Sequence, residues 1–415
     1  MKAEILSTGD EVRTGAIVDS NSAYIAQQLE DAGATVTRHN CVGDDVDMLA
    51  EILTEISHRA DISVVTGGLG PTQDDLTAQA AAKAAEVLLA YDKDALTSIE
   101  SLFASRNRAM SPSNRKQALL PVGSNYLLNP VGTAPGFVLK IQRCTFFFLP
   151  GVPHEMRRMM SDEILPWLSR MQGKNRIFYK VKTLSTFGLT EAATDENLTE
   201  ISNMFPNIKL GLRAIFPEIH VKLYGQGKDE NQLDQNFETA IEWIQNKLGI
   251  HLLSVEGYSM EKVVGDLLFE KKATVAVAES CTGGLISHRL TEVPGSSNYF
   301  LFSGVTYSNE TKTQMLGVSA ETITRYGAVH EITVKEMAQG VKRITGATYG
   351  LSTSGVAGPD GGTEDKPVGT ICIGLATPVS VEGFRYRFNF GRRSMNKEIF
   401  AISALDILRR KLLVS

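Results

Sequence analysis

Short β-branched and apolar runs alternate with amphipathic stretches about a dozen residues long over the first ninety residues, and the alternation returns from residue 259 onward. Ala3–Thr8, Gly33–Cys41 and Ile62–Thr66 read as strands, and Asn21–Ala32, Val46–His58 and Asp75–Ala90 carry helical spacing. Neighbouring parallel strands need a crossover of about this length, so the pattern predicts an α/β protein with mainly parallel sheets and helices on both faces. In such sheets ligands lie beyond the carboxyl ends of the strands. That puts Gly9-Asp10-Glu11 and residues 67–75 on a functional rim. Farther on, Arg106–Gln117 reads as a basic helix edge or loop. Residues 129–136 read as a turn-rich loop before one strand to Phe148, and 150–156 as a turn into a helix ending near Leu168.

A chain of 415 residues suits two to three domains. Its character shifts divide it into 1–170, 171–255 and 256–415. The middle segment reads as a small α+β module: strands Phe178–Leu184 and His220–Tyr224, a helix to Ile201 and a helix at Asn231–Leu248. Its Lys209, Arg213 and Lys222 read as solvated surface. In the last segment Met260–Glu270, Thr333–Thr345 and 396–413 read as helices, and Thr274–Ala278, Tyr349–Ser354, Gly369–Ala376 and Gly383–Phe390 as strands. A net charge of −5 offers no basic field for nucleic acid or an anionic membrane. The most apolar windows, 144–152 and 274–278, are too short to span a bilayer. Met1–Glu4 leads directly into a strand, so no leader is expected, and cysteines 41, 144, 281 and 372 have no zinc or disulfide spacing. The expectation is a reduced, cytoplasmic protein.

The strand at Thr274–Ala278 runs into Glu279-Ser280-Cys281-Thr282-Gly283-Gly284 and then into helical spacing. A hydroxyl at a strand exit, followed by a small-residue turn into a helix, suits a nucleophile, with the amides of the first helical turn available to an anion. It equally suits an N-cap serine. A nucleophilic Ser280 needs a base. His288 and His330 are available, and so is Lys312, beside a predicted strand end, where desolvation and a neighbouring cation would lower its pKa. Tyr307 can position that lysine or relay its proton. The glycine-dense stretch 355–362 admits a phosphate or oxyanion close to the backbone, and an arginine at 392–393 can clamp a phosphate. At the other end Glu11, Asp44 and Asp75 flank the glycine-rich 67–75 loop. They fit either a divalent cation held against a pyrophosphate, or a helix cap and a turn.

Together these motifs resemble a known family. Residues 259–415 resemble the C-terminal (PncC-type) domain of CinA proteins through 278–284, 295–297, 307–312, 355–359 and 391–393. In that family this domain deamidates nicotinamide mononucleotide (NMN) to nicotinate mononucleotide. The resemblance implies Ser280 as nucleophile, Lys312 as base and Tyr307 in support. Ser297, Ser354, Gly355, Gly358 and Arg393 would bind substrate, without a metal. Three positions depart from the family pattern: Ser354 for threonine, Arg392 for aspartate and His330 for serine.

Residues 1–168 resemble the MoaB/MogA molybdopterin-binding fold found at the front of CinA proteins, through 7–11, Asn21, 66–77, Asn129 with 132–136, and 150–156. In some relatives this domain hydrolyses ADP-ribose. The resemblance implies substrate binding by Glu11, Asn21, Gly67, Gly68, Gly70, Thr72 and Glu155, and a divalent cation (Mg, Mn or Co) at Asp44 and Asp75. For the middle segment it implies a KH-like linker, and for the whole a homodimer engaged in pyridine nucleotide salvage. The alternatives are a front domain that binds a nucleotide or pterin without catalysis, and a competence or DNA-recombination accessory protein.

Overall fold

The computed structural model describes residues 1–172, 177–388 and 390–414. The chain forms two compact units, Met1–Val181 with Gly225–Gln235, and Lys182–Tyr224 with Asn236–Ser415. Among the described residues no helix is long and apolar enough to cross a membrane.

In the first unit the strands are β1 (Lys2–Thr8), β2 (Thr35–Val42), β3 (Ile62–Thr66), β4 (Leu89–Tyr91), β5 (Leu119–Pro121), β6 (Asn125–Leu127), β7 (Gly136–Ile141) and β8 (Cys144–Leu149). The main sheet runs β2-β1-β3-β8-β7-β6, with β4 and β5 paired apart. The first four strands are parallel, and β7 and β6 are antiparallel additions. Alternate residues of each buried strand enter opposite cores. Leu6, Val65, Phe146 and Phe148 meet Leu49, Leu53 and Ile99, while Ile5, Val64, Phe147 and Leu149 meet Ile25, Leu29 and Met159. Each such fully buried side chain contributes roughly 1.5–3 kcal/mol, which makes a one-residue register slip prohibitive.

The sheet of the middle segment contains β9 (Phe178–Thr186), β10 (Ile208–Ile215), β11 (Glu218–Gly227) and β12 (Leu252–Ser254), ordered β10-β11-β9-β12. The last sheet contains β13 (Val275–Glu279), β14 (Phe300–Val305), β15 (Tyr349–Gly355), β16 (Thr370–Ala376) and β17 (Val381–Arg387), ordered β14-β13-β15-β16-β17. Here β14, β13 and β15 are parallel, and β16 and β17 antiparallel. Val275, Val277 and Leu351 pack on Val264, Leu268, Phe400 and Leu405, while Ala276 and Ala278 pack on Val334, Met337 and Val341.

Both large sheets start with a strand whose successors lie on opposite sides of it, β2 and β3 around β1, and β14 and β15 around β13. Crossovers leaving in opposite directions open a crevice at the carboxyl ends, where ligands bind in this architecture. Thr8-Gly9 and Ser280 stand at those two crevices.

The structure corrects several boundaries. The helix expected to reach Ala90 is Thr77–Ala84, followed by β4. The single strand expected up to Phe148 is the β7–β8 hairpin, turned at Gln142 with φ 50°. Helix Lys93–Ser105, β10, β14 and helices Asn309–Leu316 and Ala320–Tyr326 are additional elements. The strand expected over 383–390 is β17, which begins two residues earlier and ends three residues earlier, and residue 389 lies outside the described residues.

Candidate active site

Ser280 follows β13 and opens a turn that enters helix Leu285–Glu292 through Gly283 (φ 58°) and Gly284 (φ 90°), two left-handed residues that favour glycine. Lys312 sits on helix Asn309–Leu316, which Ser308 caps by accepting the Thr311 amide at 3.2 Å. Register brings these together: Glu279 pairs with Val305, which sets Thr306 beside Ser280. Lys312 is 1% exposed, and its Nζ donates to Ser280 Oγ at 3.2 Å, Thr306 O at 2.9 Å and Tyr307 O at 3.2 Å. Burial lowers its pKa, against the opposing influence of Cys281 and Glu310. Desolvation therefore does what the sequence reading assigned partly to a neighbouring cation. A neutral amine keeps two N–H groups for the two carbonyls and turns its lone pair toward the serine hydroxyl.

Glu279 takes the place of Ser280 in the cap reading. Its buried carboxylate accepts the amides of Gly284 (2.9 Å), Ile286 (3.2 Å) and Ser287 (2.9 Å), so the cap is Glu279 rather than Ser280. The same bonds occupy first-turn amides that the sequence reading left free for an anion. Nothing in the composition of this turn distinguishes a surface glutamate from one folded under its own helix. Next to Ser280, burial pushes the Cys281 thiol up to about 12, which leaves it protonated and unreactive. His288 Nδ1 lies 3.9 Å from Glu292 Oε1 on the surface, and His330 Nδ1 accepts the Ile332 amide at 3.1 Å.

The register Ala278–Ser352 carries Ser354 level with Ser280, and Gly355 lies so close that a Cβ would sit 3.2 Å from Cys281 Sγ. Arg393, the first residue of helix Arg393–Val414, donates to Gly358 O at 2.7 Å and to the Tyr307 hydroxyl at 3.2 Å. Tyr307 is 62% exposed and its hydroxyl accepts from Arg393, while its main-chain carbonyl holds Lys312. Ser297 lies just ahead of β14, whose Phe300 pairs with Val275. It is therefore at the amino end of the sheet, roughly 15 Å of strand away from Ser280. The sequence reading missed Asn396, which donates to Ala357 O at 2.9 Å beneath the glycine loop. It also missed Lys397, whose Nζ is 3.5 Å from where a Cβ on Gly283 would stand. Both follow Arg393 at helical spacing, a signal the sequence does contain.

In the first unit a cleft of about 420 Å³ collects Glu11, Asn21, Asp44, Gly67, Gly68, Gly70, Asp75 and Glu155. Asn21 donates to Gly151 O at 2.7 Å and to Thr66 Oγ1 at 3.2 Å. Glu155 accepts from Asn129 at 2.7 Å. Thr77 Oγ1 donates to Gly67 O at 2.9 Å, and a Cβ on Gly68 would lie 2.1 Å from that hydroxyl. Asp44 accepts the Asp10 amide at 3.1 Å, and its pKa is raised, first by burial and then by Asp10, Glu11 and Asp74. Asp75 is spent within its own loop, accepting the Thr72 amide at 2.8 Å and hydroxyl at 2.5 Å, which also commits Thr72. Lys116 ties this loop down through Thr72 O and Asp75 O. Among the described residues no three His, Cys, Asp or Glu side chains converge as ligands for a metal ion.

Three family models match: "Probable molybdopterin binding domain" over residues 4–170, "Damage-inducible protein CinA KH domain" over 181–252 and "CinA C-terminal domain" over 257–412. A CinA-like protein of Desulfosudis oleivorans is 51% identical over 413 residues, covering 100% of both chains. One of Geobacter metallireducens is 40% identical over 413 residues, again covering 100% of both. The solved CinA structure from Thermoplasma acidophilum is 34% identical, covers 39% of this chain and 95% of its own, and has a TM-score of 0.37. With full-length relatives and all three models falling in order along it, the chain belongs to the CinA family.

Proposed function

We propose that the C-terminal domain is a serine–lysine amidohydrolase that converts NMN and water to nicotinate mononucleotide and ammonia. The observation that carries this is the buried Lys312 amine, 3.2 Å from Ser280 Oγ with its other donors on two carbonyls. Ser280 Oγ attacks the carboxamide carbon as its proton passes to Lys312 Nζ. In this reading the amides of Cys281 and Thr282, which Glu279 does not occupy, would serve as the donors to the oxyanion. When the C–N bond breaks, Lys312 returns the proton to the leaving ammonia. Water then attacks the acyl carbon as its proton passes to Lys312 Nζ, and that proton returns to Ser280 Oγ as the ester bond breaks, releasing the acid and the free serine hydroxyl. Arg393, with Lys397 one helical turn on, supplies the charge for the substrate phosphate. The test is ammonia release from NMN with a chelator present. Wild-type protein turns over and Ser280→Ala falls to background, whereas turnover retained by Ser280→Ala refutes the assignment.

We propose that the N-terminal cleft hydrolyses the pyrophosphate of ADP-ribose. Its support is the set of carboxylates around a glycine loop, with Asp44 flanked by Asp10, Glu11 and Asp74. The fit to a divalent cation is uneven: Asp44 stands among like charges that a cation would relieve, while Asp75 is committed to Thr72. When bound there, a cation would neutralise pyrophosphate charge. The commitment of Asp75 favours, as a second reading, a front domain that binds a nucleotide or pterin without catalysis. Release of AMP from ADP-ribose, measured with and without divalent cation, separates the two.

A further inference from the structure

The structure assigns Glu279 as a positioning residue whose one carboxylate holds both the nucleophile's turn and the lysine's cradle, an inference that rests on the serine–lysine reading. Glu279 is 0% exposed. Its Oε2 accepts the amides of Gly284 and Ile286, and its Oε1 accepts the Ser287 amide at 2.9 Å, the Ser287 hydroxyl at 2.6 Å and the Ser303 hydroxyl at 3.3 Å. A buried charge is tolerated only with such compensation. Ser280 lies inside the loop closed by these bonds, tethered at one end to the Glu279 main chain and at the other to the Glu279 side chain.

The lysine side is tied to the same residue. The Glu279 carbonyl accepts the Thr306 amide at 2.8 Å, and the Thr306 carbonyl in turn accepts Lys312 Nζ at 2.9 Å. Ser303, three residues before Thr306, reaches the Glu279 carboxylate from β14. A simple helix cap would engage only its own helix. This one also grips the strand that delivers the base's acceptors. With five donors on two oxygens the carboxylate is fully engaged where it stands. Glu279 thus sets geometry, holding the Ser280 turn and the β14 strand with one side chain.

Three variants test this. Glu279→Asp keeps the charge and loses one methylene of reach. Glu279→Gln keeps the reach and presents a donor to one set of amides. Ser303→Ala removes only the tie to β14. Each is assayed for NMN deamidation across pH, for the rate at which a fluorophosphonate labels Ser280, and for near-UV circular dichroism. Misplacement on the scale of an ångström lowers kcat about 100-fold in both Glu279 variants and about tenfold in Ser303→Ala, with KM within about threefold and the pH limb unmoved. Labelling slows in parallel. Wild-type kcat and labelling in Glu279→Asp, an effect on KM alone, or a displaced pH limb overturns the role. If the Glu279 variants lose native dichroism, Ser303→Ala decides, and unchanged kcat there overturns it. If wild-type protein labels at Ser280 yet leaves NMN intact, the substrate assignment fails, and labelling rates alone decide the role of Glu279.

Discussion

Replacing Lys312 with methionine removes the base while nearly preserving volume. A positioned general base contributes about 10²–10⁴-fold, so kcat/KM for NMN falls by that factor, about 3–5 kcal/mol of barrier. The consequence for stability depends on pH. Burial holds the folded-state pKa of Lys312 below the ordinary lysine value of 10.5, so the folded protein binds this proton less tightly than the unfolded chain. Below the depressed pKa the wild type carries the full cost of a buried ammonium. As pH rises from that pKa to 10.5 the cost is removed, at about 1.4 kcal/mol per unit of depression. Methionine has no such proton, and forfeits three hydrogen bonds worth about 0.5–1.5 kcal/mol each. Relative to Lys312→Met, wild-type protein therefore gains stability between neutral pH and 10.5. Urea unfolding of both proteins across that range, paired with ammonia release, provides the measurement. Parallel stability profiles, or a variant retaining more than about a tenth of wild-type activity, would refute the argument.

Arg393→Lys replaces a guanidinium spanning Gly358 O and the Tyr307 hydroxyl with a single ammonium. The expected result is KM for NMN raised about tenfold with kcat within about threefold, and a pure kcat loss would place Arg393 in the chemistry instead. Asp44→Asn is expected to lower AMP release from ADP-ribose about 100-fold while leaving NMN deamidation unchanged, and unaltered AMP release removes Asp44 from that site.

The α/β class was legible because hydrophobic periodicity is local. Ile62–Thr66 reads as a strand from five residues, and Met260–Glu270 as a helix from one apolar stripe. Helix Lys93–Ser105 was legible too, through Asp92, whose side chain accepts the Ala95 amide, but the sequence reading placed no element between Ala90 and Arg106. β14 was not, because an edge strand is covered on one side only, and its Leu301 and Phe302 are exposed at 47% and 38%. The antiparallel strands β7, β16 and β17 have the same alternation as parallel ones, so their direction is set by connection length and pairing.

By itself the sequence determined that a hydroxyl leaves a buried strand at Ser280 and that a glycine loop leaves β3 at Gly67, since both depend on residues adjacent in the chain. Tertiary structure alone decided what faces them. It turned the Tyr307 carbonyl, and not its phenol, toward Lys312, put Ser297 at the far end of the sheet, and folded Asp75 back onto Thr72. It also set the proton affinity of Lys312, because desolvation is imposed by residues distant in sequence and closes only when β13, β14 and helix Asn309–Leu316 pack together.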